Sequence, residues 1–115
     1  MPKLKVVIFK KNNNICGFSV ENHTEPIVCA AVSVLAQSAV NAVEALTEVG
    51  DKYELEINEE NGYLYFLVPS LARGAENQKA DLLLKAFELS IRSVEEEYFE
   101  YMTVKTQEVS NDDKN

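Results

Sequence analysis

Two residues have the chemistry for nucleophilic catalysis and stand six positions apart: Cys29 and His23, the chain's one histidine. A thiolate is a strong nucleophile, and a neighbouring imidazole can take the thiol proton or hold the anion beside it. Pro26 suits the first turn of a helix, where its missing N–H is no loss, with Thr24 or Glu25 in the cap region. Cys29 then falls near the end of that turn, where unpaired backbone N–H groups and the positive end of the helix favour an anionic sulfur. Ser33, Gln37, Asn41, Glu44 and Glu48 follow it at steps of four or three, so Cys29 heads a polar helix face. Ser33, one turn on, can sit beside the thiol and support it.

Each of these residues also has a plainer reading. Ile27-Val28 and Ala30-Ala31 surround Cys29 with apolar neighbours, as around a small packing residue. His23 lies in a polar stretch between Asn22 and Thr24, where a surface histidine is equally at home. Cys16, between Ile15 and Gly17-Phe18, reads as a core or sheet residue rather than a resolving thiol, and its spacing from Cys29 is not the compact C-x-x-C of a redox pair. One histidine and two cysteines fit no usual zinc spacing, so no metal is expected. Gly17 and Gly50 are isolated, no glycine-rich phosphate loop exists, and no cofactor is expected.

The elements that must position these groups follow from periodicity. Lys3 to Phe9 is β-branched and partly alternating, and Lys11-Asn12-Asn13-Asn14 supplies a polar turn before Ile15 to Val20, an opening hairpin. Val28, Val32, Leu35, Ala39, Val43 and Leu46 then recur at helical steps, predicting a helix from Pro26 to Val49 capped by Gly50. Tyr53 to Ile57 alternates, Glu60-Asn61-Gly62 signals a turn, and Tyr63 to Val68 completes a second hairpin. After a connector from Pro69 to Gly74, Leu83, Phe87, Ile91, Val94 and Tyr98 predict a second helix over about 76–97, and Tyr101 to Thr106 a last strand. The order ββαββαβ predicts an α+β fold, a two-layer α/β sandwich whose mixed or antiparallel sheet carries two long helices on one face. The sheet's other face then meets solvent or a second copy of the chain. We read residues 1–109 as one domain and 110–115 as a flexible polar tail.

With 19 acidic and 11 basic residues, the formal net charge of −8 works against a phosphate backbone and favours a basic protein or peptide as partner. The same charge serves equally as solubilising surface. No 20-residue apolar span and no export signal is read in the sequence, so the expectation is a cytoplasmic protein with free thiols and no membrane or nucleic-acid partner.

The string Ile27-Val28-Cys29-Ala30-Ala31-Val32-Ser33, followed by Leu35 and Asn41 and preceded by His23, resembles the ribosomal-processing cysteine protease (Prp) family. These bacterial proteins remove an N-terminal extension from a large-subunit ribosomal protein. The likeness extends through Lys5-Val6-Val7-Ile8-Phe9, Leu82-Leu83-Leu84 and Ile91-Arg92-Ser93-Val94-Glu95-Glu96, which are less distinctive. By that resemblance His23 is a general base, Cys29 the nucleophile and Ser33 a supporting residue. It further implies a homodimer and, as substrate, the N-terminal peptide of a ribosomal protein precursor, with bulky apolar residues before the cut. Backbone N–H groups of Ile27 to Cys29 are the expected oxyanion donors, and Thr24, Glu25, Pro26, Ile27 and Val28 form the expected oxyanion or substrate loop. Three departures stand out: Asn22 where the family usually has Gly, Pro26 where it has Asp, and a much shorter connection between histidine and cysteine. The alternative reading is therefore a catalytically impaired or noncatalytic peptide-binding relative.

Overall fold

The structure, a computed structural model, describes residues 2–110. Of the expected polar tail, 111–115 lie outside the described residues. Strands β1 (Leu4–Lys11) and β2 (Asn14–Glu21) form the opening hairpin. Its turn residues Asn12 and Asn13 have φ of 55° and 71°, the left-handed pair that tight hairpins demand and that asparagine tolerates. A bulge between Phe9 and Lys10 leaves Cys16 as the extra residue in the ladder.

Helix α1 spans Pro26–Leu46. It stops short of the expected Val49 because Thr47, not Gly50, ends it. The Thr47 hydroxyl donates to the Val43 carbonyl at 2.7 Å and accepts from the Val49 N–H at 3.1 Å, turning the chain early. Strands β3 (Glu54–Asn58) and β4 (Tyr63–Leu67) form the second hairpin. The expected connector contains a short helix α2 (Pro69–Ala72), started by its proline and held by buried Leu71. Helix α3 (Gln78–Glu97) begins where the Asn77 side chain accepts from the Ala80 N–H at 3.0 Å, and β5 (Met102–Glu108) follows.

The sheet order is β3-β4-β2-β1-β5, with β5 parallel to β1 and every other pair antiparallel, so the sheet is mixed. Registers Val6↔Val20, Ile8↔Phe18, Phe18↔Phe66 and Val20↔Leu64 put one alternating apolar set on a single face. That face packs against α1 through Val28, Val32, Ala36, Ala39, Val40 and Val43, and against α3 through Ala80, Leu84, Phe87 and Ile91. Phe18 is the hub, its ring stacked on Phe87 at 4.2 Å and tilted on Phe66 at 5.5 Å. A Cβ at Gly17 would collide with the Phe66 carbonyl oxygen, so only glycine lets β2 and β4 approach this closely. Helix α1 is long and apolar enough to cross a membrane by length and composition alone, but its apolar stripe lies in the core.

Candidate active site

The antiparallel register of β2 on β4 sets the site's frame. It runs from Gly17↔Leu67 to Val20↔Leu64, and two residues further on it brings Asn22 to the β3–β4 turn at Gly62. Residues 22–25 then connect β2 to α1. Asn22 has a φ of 77°, a left-handed conformation that glycine adopts freely and asparagine tolerates better than other side chains. The Asn22 side-chain amide also donates to the Lys3 carbonyl at 3.2 Å, tying the bend to β1.

A groove of about 350 Å³ lies between α1 and the β3–β4 hairpin. Leu4, Val20 and Leu64 supply sheet residues to it, Cys29, Ser33 and Gln37 come from the polar face of α1, and Ile57, Glu59, Gly62 and Tyr63 from the hairpin. His23 lines it as well. The structure thus places His23, Cys29 and Ser33 in one groove, with the polar stripe of α1 facing it.

The remaining residues of the candidate loop take different roles. Glu25 is the N-cap, and its Oε1 accepts from the Ile27 N–H at 2.9 Å and the Val28 N–H at 3.4 Å. The Cys29 N–H donates to the Glu25 carbonyl at 3.0 Å. All three amides expected to receive an oxyanion are therefore occupied by Glu25 in this conformation. Pro26 opens the helix at the surface, Ile27 is exposed, and Val28 is fully buried in the core. None of these three lines the groove.

Cys29 is half-buried and its sulfur is held from one side by Thr24. The Thr24 N–H donates to Sγ at 3.2 Å, a contact that a thiolate accepts, and the thiol can donate to the Thr24 carbonyl at 3.6 Å. The His23 ring is held elsewhere: Nε2 lies 3.0 Å from the Glu59 carbonyl and 3.1 Å from the Glu60 carbonyl. Imidazole and thiol thus share the groove, while their hydrogen bonds run to different partners. Sequence reasoning took Glu60-Asn61-Gly62 only as a hairpin turn. The signal available for its role was its place opposite the end of β2, which requires the strand order.

Cys16, by contrast, is completely buried, and burial pushes its thiol up to about 11. Its Sγ–H donates to the Phe9 carbonyl at 3.5 Å, so it is a packing residue of the bulge. Among the described residues, no three His, Cys, Asp or Glu side chains converge as metal ligands.

Residues 3–103 match the sequence profile of a protein family described as cysteine protease Prp. Over 84 residues the chain is 36% identical to the ribosomal processing cysteine protease Prp of Bacillus subtilis strain 168, covering 73% of each chain. The fold matches the crystal structure of an essential ribosomal processing protease Prp from S. aureus with a covalently linked product peptide. The TM-score is 0.77 at 23% identity, covering 90% of this chain and 99% of that one. A crystal structure of a Streptococcus mutans protein gives a TM-score of 0.76 at 26% identity, over 92% of this chain and 98% of that one.

Proposed function

The chain belongs to the Prp family of cysteine proteases, and on that footing we propose that it is a cysteine endopeptidase acting on the N-terminal extension of a large-subunit ribosomal protein precursor. The observation that carries the reading is the Cys29 thiol at the start of α1, sharing one groove with the sole imidazole. His23 is the base, Cys29 the nucleophile, and Ser33 supports the thiol from one turn along the helix. Thr24, through its backbone N–H, steadies the sulfur as charge develops on it.

The imidazole takes the proton from the Cys29 Sγ–H, and the sulfur attacks the peptide carbonyl carbon. As the C–N bond breaks, the imidazolium gives that proton to the departing amine, leaving a thioester. Water attacks the thioester, its proton passes to the imidazole, and the acid product leaves with the sulfur reprotonated. Oxyanion stabilisation by the Ile27 and Val28 amides requires the Glu25 carboxylate to swing off them as the peptide enters. The apolar floor of Leu4, Val20 and Leu64 suits a bulky apolar side chain before the cut, and the net charge of −8 suits a basic peptide. Action as a homodimer in the cytoplasm, with neither cofactor nor metal and without direct nucleic-acid or membrane partners, completes the reading.

Wild type and Cys29→Ala incubated with the ribosomal protein precursor test it, with products read by mass. Wild type should cut at one bond and the variant should not; equal cleavage by both, or none by wild type, refutes the assignment. The separate hydrogen bonding of His23 and Cys29 favours one second reading, a peptide-binding relative without turnover. That reading requires precursor binding without product, unchanged in Cys29→Ser.

A further inference from the structure

We infer that the β3–β4 turn is the orienting element of the base: the Glu59 and Glu60 carbonyls hold His23 as its Nε2–H tautomer, and Gly62 makes room for the ring. This rests on the proposed role of His23. A carbonyl oxygen only accepts, so an Nε2 lying 3.0 Å and 3.1 Å from two carbonyls must carry the proton. In the neutral ring Nδ1 is then the free lone pair and the atom that can take the thiol proton. When it does, Nε2–H stays on its two carbonyls, whose negative ends face the new positive charge. Backbone oxygens thereby do what a carboxylate or amide side chain does as the third member of other catalytic constellations.

The turn is built to keep those oxygens in place. The Gly62 N–H donates to the Glu59 carbonyl at 3.3 Å, and the Asn61 N–H donates to the Asn58 side-chain oxygen at 3.2 Å. Gly62 has a φ of 63°, and a Cβ there would stand 3.0 Å from Nδ1 and 2.9 Å from both the carbonyl carbon and the oxygen of Asn22. Any side chain at this position collides with the Asn22 backbone that leads into His23 and crowds the ring itself. Gly50 has nearly the same backbone conformation, with φ at 57°, but nothing within 4 Å of an added Cβ. It serves as a control that carries the backbone strain without the collision.

Because His23 is the only histidine, its ring nitrogens can be assigned directly by long-range ¹⁵N–¹H correlation in the intact chain. The neutral wild-type ring should be the Nε2–H tautomer; a dominant Nδ1–H tautomer overturns the inference. Gly62→Ala should mix the tautomers and lower kcat about 10- to 100-fold with KM changed less than about twofold, the signature of a misplaced base. Gly50→Ala should do neither. A folded Gly62→Ala with unchanged tautomer and unchanged kcat refutes the positioning role, and if that variant does not fold, the wild-type tautomer decides alone. A wild type that shows the Nε2–H tautomer but cuts no precursor supports the anchor and refutes the protease reading, so the two failures are distinct.

Discussion

The backbone N–H of Thr24 points at the Cys29 sulfur at 3.2 Å, so the residue next to the histidine touches the thiol directly. Loop 22–25 is four residues long, and through this contact its backbone, rather than the His23 ring, meets the sulfur. It also limits how far the histidine can move from the sulfur.

That contact and the exposure difference between the thiols predict selective alkylation. Below pH 9, iodoacetamide should modify Cys29 and leave Cys16, which is fully buried with its thiol pushed up to about 11. Peptide mapping by mass spectrometry checks this. Prior labelling should abolish cleavage, and label found mainly on Cys16 would contradict the assignment of Cys29.

Cys16 also predicts a pH dependence of stability. Burial raises its folded-state value from 9.0 to about 11, so on alkalinisation the unfolded chain loses this proton first. The contribution is complete below pH 9 and declines between 9 and 11, by roughly 2 to 3 kcal/mol. Urea unfolding of wild type and Cys16→Ala across that window should show the steeper alkaline decline in wild type. Equal slopes would place the Cys16 thiol in a wetter setting than the fold gives it.

Glu25 caps α1 through both the Ile27 and the Val28 amides. Glu25→Ala should therefore cost about 1 kcal/mol of stability. It should also raise turnover per folded molecule, because the amides become free for an oxyanion. Thermal melts paired with single-turnover cleavage check both arms; a fall in turnover at unchanged stability would make the carboxylate part of the working site.

Phe18 stacks on Phe87 and touches Phe66, joining both hairpins to α3. Phe18→Ala should cost about 3 to 5 kcal/mol by emptying the centre of the core. Denaturant midpoints measure it, and a loss below about 1 kcal/mol would show that the helices collapse into the space.

Local physics made much of the molecule legible in its amino-acid order. Alternation in Tyr53 to Ile57 and the β-branched or aromatic runs Lys3 to Phe9 and Tyr63 to Val68 mark strands, the 3.6-residue stripe from Val28 to Val43 marks α1, and Pro26 marks its start. The same helical spacing separates Cys29 and Ser33 from the core stripe, and they line the groove. Termini were less legible, because a side-chain hydrogen bond from Thr47 ended α1 where Gly50 offered an equally good stop. What only the tertiary structure decided depends on residues far apart in the chain. The order β3-β4-β2-β1-β5 carries the turn at Glu59 and Glu60 onto a histidine 36 and 37 positions earlier, and the loop geometry turns Glu25 onto the amides of α1. Periodicity states which face of each element is apolar, but not which strands become neighbours. The partners of His23 therefore arise from sheet topology, while Cys29 owes its place to the helix that carries it.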